Sequence, residues 1–244
     1  MYHFFKSALN RIVSRRTLAR WEPLIRKIYA AVFFRGSACR CPVCTHSFSK
    51  FILLPNGDRL CPFCGSLSRN RRLWKILTES EVLRGRVLHF SPSRPLYRRL
   101  KKVPEIEYLS TDFEDEFLAD CQYDITRIPE PDEVFDLIIC YHVLEHIPDD
   151  RAAMRELFRV LKKEGRALIQ TPFRLGEIYE NPTITTPADR EKHFGQADHV
   201  RVYSVEGLKN RLEQAGFRVS VKKYSAATKN PEGLAEEVVL IAQK

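Results

Sequence analysis

The chain has 244 residues, of which 44% are hydrophobic and 29% are charged, and its formal net charge is +9. This composition allows a folded core and excludes a globally disordered chain. The sequence contains no run of about 18 apolar residues, so no transmembrane helix is expected. The positive charge lies in residues 1–80, since residues 81–244 carry 25 basic against 28 acidic side chains. The basic region predicts either an anionic partner or a solvated helix surface.

The first predicted segment, residues 1–36, is basic and helical. Apolar residues such as Leu24, Ile25, Ile28 and Val32 recur at helical spacing between arginines and lysines. One or two amphipathic helices are expected, which pack on the protein's own core or make a peripheral contact with a membrane surface. The interspersed arginines do not fit a secretory signal, and the predicted location is cytoplasmic.

The second predicted segment, residues 37–68, contains two Cys-x2-Cys pairs. Cys41 and Cys44 form the first pair, Cys61 and Cys64 form the second, and 16 residues separate the two pairs. Four thiolates at this spacing predict a zinc ribbon with a tetrahedral Zn²⁺ site. Because four cysteines leave no open coordination position, the zinc is expected to be structural. Iron in a rubredoxin-like site is the alternative, since the same ligands serve both metals.

The residues between the two pairs predict a hairpin. Residues 48–54 indicate a strand, and Pro55–Asp58 follow as a turn. The Asn-Gly pair in this turn accepts the positive φ that tight hairpins need. The hairpin is expected to bring the two cysteine pairs together. Cys121 and Cys140, outside this segment, are expected to be ordinary buried thiols.

The third predicted segment, residues 69–244, alternates strands with helices, which indicates crossover units and a mostly parallel sheet. The predicted strands are 86–90, 106–110, 135–140, 166–170, 219–223 and 237–242. The predicted helices are 71–83, 94–102, 150–161 and 205–215. Residues 171–203 are predicted to be a long irregular insertion of the kind that usually serves as a functional lid.

This third segment carries three motifs in sequence: FDLIICYHVLEHIPD at 135–149, KKEGRALIQTP at 162–172 and QAGF at 214–217. In this order they resemble motifs of the class I S-adenosylmethionine (SAM)-dependent methyltransferases, particularly the type 11-like group with a vLEHipD signature. The resemblance covers about two thirds of the chain, from Arg86 onward. It implies an α/β fold, namely a Rossmann-like, mostly parallel seven-stranded sheet with helices on both faces, here preceded by the zinc ribbon and N-terminal helices.

The resemblance also implies SAM as cofactor, bound at the carboxyl ends of the strands. Asp112 takes the position of the acid that binds the ribose hydroxyls. Asp124 and Ile125 resemble the element that meets the adenine amino group. Each acid could instead be an ordinary loop or cap residue. The cofactor-binding residues implied by the resemblance are His89, Phe90, Ser91, Pro92, Asp112, Asp124, Ile125 and Tyr141.

The first-strand loop departs from the family. His89 stands where the family has an acid, and none of the three glycines of its Gly-x-Gly loop is present. Ser91 and Ser93 are small enough to let a ligand approach the backbone, whereas Pro95 has no N–H to donate. Either a subgroup shares this loop, or the protein is a non-catalytic scaffold with a degenerate SAM site.

The predicted catalytic residues are His142, Asp198 and His199. The latter two lie in a stretch with two histidines, an acid and an arginine, in which Arg201 is a candidate for binding an anionic group. Asp198 or His199 is predicted to act as a base or as a substrate ligand. In the alternative interpretation, Asp198 caps the following helical region and His199 packs in the interior.

The predicted function is methyl transfer to a small-molecule or glycan-type metabolite. An RNA methyltransferase is the alternative, in which the ribbon and the basic residues 69–72 bind phosphates. The non-catalytic scaffold is the second alternative.

Overall fold

The computed structural model describes residues 15–114 and 117–244, which form two compact units. The first unit contains residues 15–75 and 226–235, and the second contains residues 76–225 and 236–244. No helix among the described residues is long and apolar enough to cross a membrane. The sequence-based division into segments 1–36, 37–68 and 69–244 stays a prediction, as does the cytoplasmic location.

The first unit begins with helix α1 (Arg15–Phe33). Ala30 is buried, whereas Leu24, Ile25, Ile28 and Val32 are half or more exposed. The helical spacing of these residues is confirmed from Arg15 onward, and residues 1–14 lie outside the described part of the chain. The predicted contact of residues 1–36 with a membrane surface stays a prediction.

Two pairs of short antiparallel strands follow α1. Strand β1 (Cys39–Arg40) pairs with β2 (Ser47–Phe48), and β3 (Ile52–Leu53) pairs with β4 (Arg59–Leu60). The prediction of one strand over 48–54 is therefore wrong, because the chain leaves β2 after Phe48 and begins a new pairing at Ile52. The predicted turn at Pro55–Asp58 is present, with Gly57 at φ +82°.

Helix α2 (Ser68–Glu79) follows the second pair, and its Arg71 is fully buried. The Arg71 guanidinium donates hydrogen bonds to the backbone carbonyls of Arg59, Ser66, Glu232 and Gly233. Arg59 lies in β4, Ser66 lies between β4 and α2, and the last two carbonyls belong to residues 226–235. One side chain therefore joins the N-terminal and C-terminal parts of this unit.

The second unit contains a six-stranded sheet. Its strands are β5 (Gly85–Phe90), β6 (Ile106–Thr111), β7 (Phe135–Tyr141), β8 (Leu161–Gln170), β12 (Arg218–Tyr224) and β13 (Glu237–Gln243). The spatial order is β12-β13-β8-β7-β5-β6, in which the four strands from β8 to β6 are parallel and β13 and β12 are antiparallel to their neighbours. The consecutive residues Leu137, Ile138 and Ile139 are all buried, so both faces of β7 are covered.

The seventh strand implied by the family resemblance is absent from the described sheet. Between β6 and β7 the described residues form only isolated bridges, Thr111 with Cys121 and Asp124 with Arg127. Pro129 and Pro131 interrupt this interval, and it lacks the alternating apolar pattern of a strand. The mostly parallel α/β architecture is confirmed, whereas the count of seven strands is wrong for the described chain.

The helices of the second unit begin at residues that suit helix starts. They are α3 (Arg94–Leu100), α4 (Asp150–Val160), α5 (Pro187–Phe194) and α6 (Val205–Gln214). Asp149 accepts a hydrogen bond from the Ala152 N–H at the start of α4, and Ser204 accepts one from the Gly207 N–H at the start of α6. Met154 and Leu157 of α4 and Leu208 and Leu212 of α6 are buried in the core under the sheet.

The prediction that residues 171–203 are irregular is wrong. This stretch contains β9 (Phe173–Arg174), β10 (Tyr179–Glu180), helix α5 and the start of β11 (Arg201–Ser204). Strand β11 pairs in parallel with β9 and antiparallel with β10, which makes a small second sheet. Helix α5 has the start and stop signals of an ordinary helix, since Thr186 caps it, Pro187 opens it and Gly195 ends it at φ +88°.

Candidate active site and cysteine cluster

The register of the parallel strands brings several polar residues to one edge of the sheet. Phe90 at the end of β5 lies opposite Thr111 of β6 and Cys140 of β7. Tyr141 at the end of β7 lies opposite Gln170 at the end of β8. The chain therefore leaves these four strands on the same side, which is where α/β sheets bind their ligands.

Ser91 and Asp112 form a hydrogen-bonded pair at this edge. Ser91 adopts the left-handed conformation at φ +46°, and its backbone N–H donates to the Thr111 carbonyl over 2.7 Å. Its hydroxyl donates to Oδ1 of the buried Asp112 over 2.7 Å, and Oδ2 of Asp112 accepts the N–H of Phe117. The loop thus takes a glycine-like backbone conformation without a glycine, held by the acid after β6.

The neighbours of Ser91 are less available to a ligand. Phe90 is part of the hydrophobic core, and Pro92 is buried. His89 is 2% exposed, and its Nδ1 lies 3.0 Å from the hydroxyl of Tyr108. Burial lowers the pKa of His89 to about 3, so this imidazole is neutral near pH 7. Where the family has a charged acid, this chain therefore has an uncharged ring.

The predicted adenine-binding segment lies beside the end of β6. The Tyr123 N–H donates to the Thr111 hydroxyl over 2.7 Å, and Ile125 is buried in the core. Asp124 is exposed, and its Oδ1 accepts hydrogen bonds from the N–H and the hydroxyl of Thr126. Asp124 therefore closes its own turn, and its predicted contact with the adenine amino group stays a prediction.

His142 stands at the carboxyl end of β7 in a strained backbone conformation, at φ +55°. Its N–H donates to the Gln170 carbonyl over 2.8 Å, and its Nδ1 lies 3.3 Å from Oε1 of Glu145. Glu145 is 1% exposed, and neither of its carboxylate oxygens has a hydrogen-bond partner among the described residues. Such strain and unsatisfied polar groups concentrate at functional sites.

His146, Asp198 and His199 continue this group of side chains. The Nδ1 of His146 lies 3.2 Å from Oδ2 of Asp198, and the His146 and His199 rings meet edge to face with centroids 4.7 Å apart. His199 is buried, with its Nδ1 3.2 Å from the Phe194 carbonyl oxygen. The three predicted catalytic residues thus lie in one cluster with two others. We call His142, Glu145, His146, Asp198 and His199 the histidine cluster.

The sequence interpretation placed Glu145 and His146 beside His142, where the cofactor or substrate would lie, but treated these two as structural residues and not as catalytic ones. The spacing of His142 and Glu145, three residues apart in a short turn after β7, was the available signal. Gln170 was also missed. Its amide oxygen and the Tyr141 hydroxyl are buried at paired positions of β8 and β7, without hydrogen-bond partners in the described part of the chain.

Arg201 has a structural role, so its prediction as an anion-binding residue is wrong. It is 5% exposed, its Nε donates to Glu180, and its terminal nitrogens donate to the carbonyls of Leu144, Ile147 and Pro148. These bonds use the guanidinium to tie β11 to the turn that carries Glu145 and His146. The turn is therefore fixed by the second small sheet.

In the first unit, the four predicted metal ligands converge. The Sγ atoms of Cys41 and Cys64 are 3.8 Å apart, as are those of Cys44 and Cys61, and all four lie within 4.8 Å of one another. With Zn–S bonds of about 2.3 Å, a tetrahedron of thiolates has edges of about 3.8 Å. The four cysteines are free thiols, and their separation is far from the roughly 2.05 Å of a disulfide.

The two cysteine pairs have matching backbone turns. The N–H of Thr45 donates to the Cys41 carbonyl, and the N–H of Gly65 donates to the Cys61 carbonyl. Both Thr45 and Gly65 have positive φ, at 63° and 76°. Each turn directs two thiols to the same point, so the arrangement is built into the backbone and does not arise from chance proximity of side chains.

Comparison with known proteins places the chain in a family. The family model described as "Methyltransferase domain" matches residues 56–220. The chain belongs to the methyltransferase-domain family. The match confirms the predicted methyltransferase domain, and the finer assignment to the type 11-like group with the vLEHipD signature stays a prediction.

The chain is similar to curated methyltransferases over part of their length. The uncharacterized methyltransferase YcgJ of Bacillus subtilis is 33% identical over 78 residues, which is 32% of this chain and 29% of that protein. The ubiquinone/menaquinone biosynthesis C-methyltransferase UbiE of Vibrio vulnificus is 28% identical over 112 residues, covering 39% of this chain and 42% of that protein. Less than half of each relative is spanned, and neither name gives support to the RNA alternative.

The solved structure of YcgJ from Bacillus subtilis shares the fold. It superposes with a TM-score of 0.51 and 17% sequence identity, covering 72% of this chain and 99% of that one. The methyltransferase-domain match includes Cys61 and Cys64 but begins after Cys41 and Cys44. Family membership therefore does not account for the cysteine cluster, which needs its own explanation.

The burial of His89 predicts how the stability of the folded protein depends on pH. Its pKa is about 3 in the folded protein against 6.5 in the unfolded chain, so on acidification the unfolded state takes up a proton first. The contribution of the neutral His89 to the free energy of unfolding is complete above pH 6.5. It is lost as the pH falls toward 3, at up to about 1.4 kcal/mol per pH unit. Chemical unfolding of wild type and His89→Gln across this window should show a shallower pH dependence in the variant.

The matched control is the exposed His193, whose change to Gln should leave the pH dependence as in wild type. An equal slope in His89→Gln and wild type contradicts the assignment of a neutral buried imidazole.

Proposed function

We propose that this protein is a SAM-dependent methyltransferase that acts on a small-molecule or glycan-type metabolite. Family membership supports the reaction class. The observation that carries the proposal is the hydrogen-bonded pair of Ser91 and Asp112 at the carboxyl edge of the parallel strands. The near-neutral charge of residues 81–244 favours a small acceptor over a polyanion.

The proposed cofactor contacts follow from the chemistry of this edge. The Asp112 carboxylate is the group that binds the ribose hydroxyls, because a charged acceptor makes strong hydrogen bonds to hydroxyl donors. The left-handed turn at Ser91 gives the ligand access to the backbone where the family uses glycine. Four of the other residues that the resemblance implied are buried, so they support this region as part of the core and offer little surface to a ligand. They are His89, Phe90, Pro92 and Ile125.

When bound, SAM supplies a methyl group on a positively charged sulfur. The enzyme's part is to hold an acceptor in line with that methyl group and, where the acceptor carries a proton, to remove it. Within the histidine cluster, His142 and Asp198 have side chains that are 24% and 67% exposed, which lets them reach an acceptor. We assign these two side chains as the groups that accept the proton, and the buried His199 as a positioning residue that packs behind them against His146.

The cysteine cluster is proposed to bind one structural Zn²⁺ through Cys41, Cys44, Cys61 and Cys64. Besides the tetrahedral spacing, the charge of the neighbouring Arg71 supports thiolate ligands. Burial lowers the pKa of Arg71, and Cys41, Cys61, Asp58 and Cys64 oppose this shift when they are ionised. Apart from Asp58, the opposing groups are cysteines, so a thiolate–metal centre offsets the cost of the buried guanidinium.

Calorimetric titration with SAM and with S-adenosylhomocysteine tests the cofactor site. Wild type should bind both, and Asp112→Asn should weaken binding roughly 10- to 100-fold, because a charge-assisted hydrogen bond contributes about 1.5–3 kcal/mol. Glu105→Gln, an exposed acid just before β6, is the control and should bind as wild type does. If folded wild-type protein binds neither ligand, the scaffold alternative replaces the enzyme.

Metal analysis of the purified protein tests the cysteine site. Cys44→Ser should contain one equivalent of zinc less than wild type and should unfold at lower denaturant concentration, because a structural metal contributes folding free energy. Cys39→Ser is the control, since Cys39 lies two residues before the first ligand and outside the tetrahedron. Equal zinc in the two variants, or iron in place of zinc, would count against the proposed zinc site.

A further inference from the structure

We propose that the histidine cluster contains a second metal site, in which Glu145, His146 and His199 bind a divalent transition-metal ion. One ligand atom from each of these residues lies within 4.8 Å of the other two. Glu145 and His199 are almost completely buried, and His146 is partly exposed. The inference is independent of whether SAM binds.

The Glu145 carboxylate supports a cation at this position. Both of its oxygens are buried without a hydrogen-bond partner among the residues that the structure describes, and the nearby His142 Nδ1, at 3.3 Å, lies outside hydrogen-bond geometry. A buried carboxylate without hydrogen bonds is unfavourable, because it loses its hydration and receives no hydrogen-bond donor in exchange. A metal ion bound to these oxygens removes that cost.

The two imidazoles are already oriented as metal ligands. The Nδ1 of His146 faces the Asp198 carboxylate at 3.2 Å, and the Nδ1 of His199 faces the Phe194 carbonyl oxygen at 3.2 Å. Metal-binding histidines usually donate one ring N–H to a carboxylate or a carbonyl, which leaves a lone pair on the other nitrogen. The Nε2 of His199 is buried and has no hydrogen-bond partner in the described chain, as this arrangement requires.

The backbone holds the three ligands together. Glu145 and His146 lie in the short 3₁₀ turn Leu144–His146, and the Val200 N–H donates to the Glu145 carbonyl over 2.9 Å. This bond fixes His199 next to Glu145 across more than 50 residues of sequence. The donors therefore come from two rigidly joined segments and not from mobile surface side chains.

The ligand chemistry indicates which ion fits. Two imidazoles and one carboxylate suit first-row transition metals such as Zn²⁺ or Fe²⁺ and are a poor match for Ca²⁺ and Mg²⁺, which prefer oxygen ligands. Three protein ligands leave at least one coordination position open for water or an oxygen of another molecule. This distinguishes the site from the cysteine cluster, whose four thiolates fill the coordination of the metal.

Zinc counting tests the second site with the metal alone as probe. Full-length protein is equilibrated with excess Zn²⁺, dialysed, and analysed for zinc per chain by mass spectrometry. Glu145→Gln and His199→Asn should each hold one equivalent less than wild type, because they remove a ligand while keeping a similar shape. All these proteins keep the four cysteines, so the thiolate-bound zinc is common to them.

The control is His193→Asn, in which the changed histidine is exposed and contacts Tyr179, and it should hold as much zinc as wild type. His146→Asn provides a more exposed ligand variant if Glu145→Gln does not fold. Excess Zn²⁺ should also raise the melting temperature of wild type more than that of the ligand variants. If folded His199→Asn and His146→Asn retain the wild-type zinc content, there is no second site. SAM titration of the same samples shows separately whether the cofactor site works.

Discussion

The parallel pairing of β6, β5, β7 and β8 is the constraint on which the candidate active site depends. These strands lie side by side and run in the same direction, so their carboxyl ends meet at one edge of the sheet. Ser91, Asp112 and His142 therefore follow the strands at that edge. A slip of one residue in β7 would turn each of its side chains, including that of Tyr141, to the other face of the sheet. The pairing of β7 with β5 on one side and β8 on the other holds this register, so the sheet determines where the polar groups of the site lie.

At this edge, the strained Ser91 adopts the positive φ that glycine adopts in the family's Gly-x-Gly loop. Ser91 and His142 both have positive φ, a conformation that costs non-glycine residues about 1–3 kcal/mol. Each is held by hydrogen bonds from its backbone N–H to the neighbouring strand, Ser91 to Thr111 and His142 to Gln170. The loss of the glycines therefore does not remove the turn after β5. The cost of that turn lies in the strained Ser91, which its hydrogen bond to β6 stabilises.

Local patterns predicted the elements of the fold, and non-local contacts explain the failures. The apolar run of β7 was readable from sequence, and the six strands of the sheet were located to within a few residues, except at the start of β8. The small sheet within residues 171–203 was missed because two-residue strands leave no periodic pattern. Glu145 was assigned a structural role because its neighbour in the fold, His199, is distant in sequence. The sequence alone does not show that the two residues lie together.

The crystal structure of the protein bound to S-adenosylhomocysteine tests the central claim most directly. The account predicts the ligand at the carboxyl edge of β5 and β6, with its ribose hydroxyls donating to the Asp112 carboxylate and its amino acid portion near the turn at Ser91. A ligand bound at the opposite edge of the sheet, or bound here without a contact between its ribose hydroxyls and the Asp112 carboxylate, would contradict the account.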